Sequence, residues 1–225
     1  MTTHNRMRRA LSLSKPPFSF RGQYKTLSTA SSHTLTDCDI GIPHPKRVVV
    51  VSSFGRAVTT TGVTIGGVAA TAAINYTAVA SCFASIWYAS VPTGAIGDIT
   101  VTHVISNVGA QISVWAGYPD SPTPVDALGN GSGGSNFTLT DLAKTAGGFA
   151  VFHQVANTTG AVNNLTGTGP ETIVKDWEGN AFVDTLTYAF ISSYSFVVTA
   201  TSTTEDYTFT STTSNNESGI GATWA

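Results

Sequence analysis

Two histidines fall where chemistry could sit. In DITVTHVIS (98–106), alternation puts His103 on one strand face with Ile99, Val101 and Ile105. In GFAVFHQVAN (148–157), His153 shares a face with Phe149, Val151 and Val155. Residues two apart on a strand point the same way, so each imidazole is aimed at apolar surroundings. With a third ligand such as Asp98 the pair would make a metal site if the two strands were neighbours. No metal-ligand spacing accompanies them, so the preferred reading is two core or interface histidines, each holding a hydrogen bond. Asp176, Glu178 and Asp184 offer the carboxylate pair that glycoside cleavage needs. DWEGN (176–180) nevertheless reads first as a hairpin turn, because Gly179-Asn180 tolerates positive φ. A sugar- or ion-binding loop around Trp177 is the minority reading. There is no G-x-S-x-G elbow and no Cys-His pattern. The glycine-rich TIGGVAA and NGSGGS lack the lysine and helix of a phosphate loop, and read as turns or linkers. No catalytic residue, metal or cofactor is expected.

Cys38 and Cys82 are the two cysteines, too few for a disulfide scaffold. They read as buried thiols. The alternative is one Cys38–Cys82 bridge clamping two strands, which needs Cα atoms within about 7 Å.

Charge is scarce and unevenly placed. Charged residues are 11% of the chain, against about 25% in ordinary domains. Residues 1–36 hold Arg6, Arg8, Arg9, Lys15, Arg21 and Lys25 and no acid. The rest holds five basic and thirteen acidic residues, so the overall −2 hides a basic arm on an acidic body. Asymmetry of this kind predicts an interaction tail, with Arg6, Arg8, Arg9 and Lys15 as its partner contacts. Nucleic acid is not the expected partner, since no aromatic residue interleaves the charges of the first 17 residues. Docking on an acidic neighbouring subunit fits the charges better. No stretch reaches the roughly 18 apolar residues of a membrane span. The apolar run after the basic start is too short for a signal peptide. Asn-x-Ser/Thr triplets, among them those at Asn75, Asn136, Asn157, Asn164 and Asn216, are read as accidents of an Asn- and Thr-rich composition.

The elements that must position these residues are strands. Short β signals recur from TLTDCDI (34–40) and RVVVVSSF (47–54) to SYSFVVTAT (193–201) and DYTFTST (206–212). No segment of helix length carries a 3.6-residue period. RVVVVSSF, a continuous apolar run, predicts a central strand covered on both faces, while DITVTHVIS and FAVFHQVAN alternate as half-buried strands do. FSFRGQYKTL (18–27) could add an edge strand. YPDSPTPVDALGNGSGGS (118–135) predicts a surface excursion or crossover. It divides the chain into similar halves, but no repeat aligns between them. The expectation is an all-β fold: one antiparallel sandwich over 31–225 behind an extended arm over 1–30.

KRVVVVSSFG (46–55), TGVTIGGVAAT (61–71), SIWYASVPTGAIGDITVT (85–102), ISVWAGY (112–118) and the ending GATWA (221–225), in that order, resemble a group of tailed-phage and prophage virion structural proteins. The resemblance covers roughly residues 34–225. It implies a jelly-roll-like β-sandwich that decorates or connects parts of a particle as capsid decoration, head fibre, collar or tail component. It implies other virion proteins as partners, location in the virion, and a homo-oligomer, a trimer first. It carries no enzymatic residues. The arm departs from the group's pattern and is argued from charge alone. The alternative function is a carbohydrate- or receptor-binding module of a phage fibre, which would expose an aromatic cluster such as Trp177 with Tyr118.

Overall fold

The computed structural model describes residues 16–56, 58–77, 82–107, 109–132, 134–158, 165–183, 188–212 and 216–225. Among them every regular element is a strand. The first half contains β1 (Ser19–Thr26), β2 (Ala30–Asp39), β3 (Val48–Arg56), β4 (Thr60–Ile65), β5 (Val68–Ala69), β6 (Thr71–Thr77), β7 (Cys82–Ser90), β8 (Ile96–Asn107) and β9 (Ala110–Gly117). The second contains β10 (Asp126–Ser132), β11 (Asn136–Lys144), β12 (Phe149–Thr158), β13 (Thr166–Thr168), β14 (Val174–Val183), β15 (Tyr188–Val197), β16 (Ser202–Thr210) and β17 (Asn216–Trp224).

These strands form four antiparallel sheets rather than the two of a single sandwich. The first half makes an inner sheet, β1-β9-β3-β7-β6, and an outer sheet, β2-β8-β4-β5. The second makes an inner sheet, β10-β17-β12-β15-β14, and an outer sheet, β11-β16-β13. The strand orders coincide. Replacing β1, β2, β3, β4, β6, β7, β8 and β9 by β10, β11, β12, β13, β14, β15, β16 and β17 turns each first-half sheet into its second-half counterpart, with the two-residue β5 left over. Pairing is nested: β1 with β9, β2 with β8, β3 with β7 and β4 with β5, as β10 pairs with β17, β11 with β16 and β12 with β15.

The correspondence extends to single bonds. The Val91 amide donates to the Arg47 carbonyl at 3.3 Å, and the Val198 amide to the Gly148 carbonyl at 2.9 Å. Asp37 and Asp141, at φ 56° and 61°, are the non-glycine residues recorded in the left-handed region. Each sits at a register shift, and its amide donates to a carboxylate on the neighbouring strand: Asp98 at 3.2 Å, Asp206 at 3.1 Å. The hydroxyls of Thr34 and Thr100 meet at 3.0 Å, as do those of Thr138 and Thr208. The chain is therefore a tandem duplication of one strand wrap, which corrects the expectation of a single sandwich without a repeat.

Three buried layers hold the four sheets together. Val49, Val51, Trp87, Ile112 and Val114 pack against Leu35, Val63, Ile65, Ile99 and Val101 of the first outer sheet. Phe152, Tyr194 and Phe196 pack against Phe137, Leu139, Tyr207 and Phe209 of the second. Between the inner sheets, Val48, Val50, Phe54, Ile86 and Trp115 meet Phe149, Val151, Val155, Ile191, Ile220 and Trp224. Burial on both faces explains the valine run of β3 as expected. FAVFHQVAN also lies in a strand buried on both faces, contrary to its half-buried reading, because β12 is the counterpart of β3 and a second sheet covers each side of it.

Other expectations shift. Residues 19–26, inside the expected arm, form β1, an edge strand on β9. The interval 118–135 contains β10. DWEGN is not a hairpin turn: β14 continues through it, with a register shift at Asp176. Gly179 serves close approach there, since a Cβ at this position would stand 2.7 Å from the Trp177 ring. TIGGVAA does turn, at Gly66 and Gly67 with φ 56° and 80°, which links β4 to β5.

Candidate functional site

The duplication dictates which residues can meet. β7 lies against β17 and β6 against β10, while β9 reaches β14 and β15. Each inner strand thus faces the counterpart of its opposite neighbour, with β3 over β12 at the centre. An approximate two-fold axis running along these two strands produces this pattern. Ser52 and His153 occupy equivalent positions and meet there, Oγ to Nδ1 at 3.0 Å. To one side Ser113 and Ser193 meet at 2.7 Å. Their counterparts on the other side are Ile220 and Ile86, both in the same core.

The structure does not bring His103 and His153 together. His153 lies between the inner sheets, bonded by Nδ1 to Ser52 and Ser193. His103 lies inside the first sandwich, its ring 5.6 Å from that of His33. Asp98, the third ligand considered, is exposed on the opposite face of β8. Burial lowers all three imidazoles: His33 below its ordinary value, His103 to about 4 and His153 to about 3. They are neutral at ordinary pH and act as hydrogen-bonding core residues. Among the described residues no group of three His, Cys, Asp or Glu is placed to hold a metal ion.

The carboxylates are equally engaged. Asp176 accepts from Trp115 Nε1 at 2.8 Å, and burial raises its pKa. Glu178 pairs with Lys175 at 2.5 Å and accepts from the Leu165 amide. Asp184 lies outside the described residues. Cys38 carries a free, buried thiol rather than half of the Cys38–Cys82 bridge weighed above. Its Sγ stands 3.5 Å from the Leu35 carbonyl, and burial pushes it up to about 11. The Cys82 side chain lies outside the described residues. Tyr118 is buried with its hydroxyl donating to the Ile42 carbonyl, and Trp177 packs against the layer between the inner sheets. These two aromatics therefore do not form the exposed cluster that a glycan platform would use.

A further titratable group, which the sequence reading passed over, is Glu217. It is 1% exposed, beside Gln154 and Ser211, and burial lifts its carboxyl to about 7. Its oxygens have no partner of hydrogen-bonding geometry among the described residues, although the nearby Ser211 and Gln154 temper the effect of burial. No local pattern could have flagged it, because its burial depends on the second outer sheet covering β17.

Arg6, Arg8, Arg9 and Lys15 all lie outside the described residues. The described cations are mostly committed. Arg21 pairs with Asp39, Lys46 with Asp120, Lys175 with Glu178, and Lys144 with Glu171 and Glu205. Arg47 is buried and donates to the carbonyls of Val91, Gly41 and Thr93. The outward faces of the two outer sheets are different. They carry Thr34, Thr36, Thr64, Thr100 and Thr102 in the first sandwich and Thr138, Thr140, Thr166, Thr168, Thr208 and Thr210 in the second. To these are added the exposed Asp37, Asp98, Asp141 and Asp206. The signal for them was present as TLTD at 34–37 and 138–141, and as DITVT and DYTFT at 98–102 and 206–210. Comparison of the chain with protein-family models, curated proteins and solved structures finds no match.

Proposed function

We propose that this chain is a non-enzymatic structural protein of a tailed-phage particle, built from two jelly rolls in tandem. The observation that carries the reading is the duplicated nest of antiparallel strand pairs. A ribbon of paired strands rolled into two facing sheets is the jelly-roll plan, an architecture that recurs in virus capsids. The fold alone does not dictate function. The surface adds to it: a chain of 11% charged residues, with hydroxyl-rich strands facing outward, repels its neighbours weakly and suits permanent contact. The resemblance of residues 34–225 to virion proteins points the same way. In this reading the chain works as capsid decoration, head fibre, collar or tail component. It assembles as a homo-oligomer, a trimer first, and docks through its basic N-terminal segment.

The test is location. Purified particles should contain the chain as a stoichiometric component, and gold-labelled antibody should mark one repeated place on head, collar or tail in electron micrographs. Particles that lack the chain, or hydrolysis of a host polysaccharide by the purified protein that is lost in Glu178→Gln, would overturn the reading.

A further inference from the structure

Ion pairing inside each copy leaves a specific remainder. Arg21, Lys46, Lys144 and Lys175 use Asp39, Asp120, Glu171, Glu205 and Glu178. β2, β4, β5 and β8 contain no Lys or Arg. β11, β13 and β16 contain one, Lys144, and it is buried under its two glutamates. Among the described residues, the strands of both outward faces therefore carry no exposed cation. Each has two exposed aspartates on neighbouring strands, Asp37 by Asp98 and Asp141 by Asp206, the amide of the first donating to the carboxylate of the second. The two pairs sit at corresponding register shifts on opposite sides of the molecule, ringed by threonine hydroxyls. An inner sheet is covered on both sides, whereas an outer sheet has nothing over its outward face among the described residues.

The complementary charge is in the same chain. Residues 1–15 hold Arg6, Arg8, Arg9 and Lys15 and no acid. Fifteen residues span at most roughly 50 Å when extended. They leave the body at Pro16, beside Pro119, Gly147 and Val197, at the end where the two sandwiches are connected. Resting on the assembly reading above, we propose that the outward faces of the two outer sheets are docking surfaces for residues 1–15 of neighbouring copies. Arginine guanidiniums bind the carboxylates at Asp37/Asp98 and Asp141/Asp206. Guanidinium suits this role because its planar fork presents two parallel donors to a carboxylate. The threonine hydroxyls and the exposed strand surface accept the remaining polar groups of the segment. The contact is heterologous, segment to face, and each copy offers two faces.

The experiment uses the full chain. Light scattering and sedimentation should show self-association that weakens as salt rises, because the contact is electrostatic. Arg6→Ala/Arg8→Ala/Arg9→Ala/Lys15→Ala should weaken it at least tenfold. So should Asp37→Asn/Asp98→Asn/Asp141→Asn/Asp206→Asn, in which asparagine tolerates the left-handed backbone and keeps an acceptor oxygen. Mixing the two variants should restore pairs, since one supplies intact faces and the other an intact segment. A wild type that stays monomeric at low salt overturns the proposal. So does a face variant that associates like wild type, or a folded mixture that does not pair. Uptake of the face variant into particles at full occupancy would reject this docking and leave the particle reading standing. A chain absent from particles whose variants still pair on mixing would do the reverse.

Discussion

Glu217 and the histidines make opposite demands on pH. A carboxyl raised from 4.5 to about 7 favours the folded state while protonated. Its contribution is complete below pH 4.5 and is lost as pH rises through 7. The imidazoles are lowered, so folding favours their neutral forms. Their contribution is present above pH 6.5 and is lost as pH falls toward 4 for His103 and 3 for His153. Chemical denaturation should therefore show a stability maximum in the mildly acidic range, between the two losses. Glu217→Gln should stabilise the protein at pH 8 by on the order of 2 kcal/mol and do little at pH 5. His103→Phe should flatten the decline between pH 6.5 and 4. A denaturation midpoint that Glu217→Gln leaves unmoved at pH 8 would mean that Glu217 meets solvent or a cation in solution.

At the scale of elements, much was legible and one kind of information was not. Alternation and valine runs place β3 and β8 correctly, because burial on one face or both writes directly into side-chain period. DWEGN misled because Gly-Asn is a strong local turn signal, while the need for Gly179 to make room for the Trp177 ring is tertiary. The repeat escaped because its two matching blocks, TLTD and D-x-T-x-T, are short. They are separated by intervals of different length in the two halves, filled by side chains adapted to different neighbours. Equivalent positions show the divergence: Arg47, buried among three carbonyls, corresponds to Gly148. A Cβ at Gly148 would stand 1.7 Å from the Trp224 carbonyl oxygen, a backbone atom with no rotamer to yield. Gly148→Ala should thus force β12 from β17 and destabilise by on the order of 3 kcal/mol. An unchanged melting temperature would show that this strand end is looser than its pairing implies.

The whole molecule is a two-fold dimer of sandwiches made within one chain. Its inner sheets present the same strands to each other, and their contact is isologous in the sense used for C2 interfaces, since equivalent surfaces meet across the axis. The side chains at equivalent positions make it directional. Ser113 and Ser193 meet on one side, where Ile220 and Ile86 hold the equivalent positions on the other, and His153 stands where the first half has Ser52. A homodimer of the first half would put Ser52 against Ser52 and Ser113 against Ile86, leaving polar groups without partners in a buried layer, at a cost of about 1–3 kcal/mol each. A homodimer of the second would bury two copies of His153 face to face. The native pairing is therefore preferred over either. The connection adds little that is specific beyond holding the halves near one another. Its anchors are local: the Asp120 amide on the Ala225 carbonyl, the Val125 amide on the Thr223 carbonyl, and Trp224 Nε1 on the Pro122 carbonyl at 3.0 Å. A chain cut after Ser121 and produced as two fragments should accordingly reassemble one to one. The heterodimer should show a β-type circular dichroism spectrum like that of the intact protein. Each fragment alone exposes an inner face lined by residues such as Trp115 and Phe54, or Phe149 and Trp224, and should aggregate or form a weaker homodimer. Fragments that remain soluble monomers and ignore each other when mixed would show that the two sandwiches are independent beads rather than halves of one core.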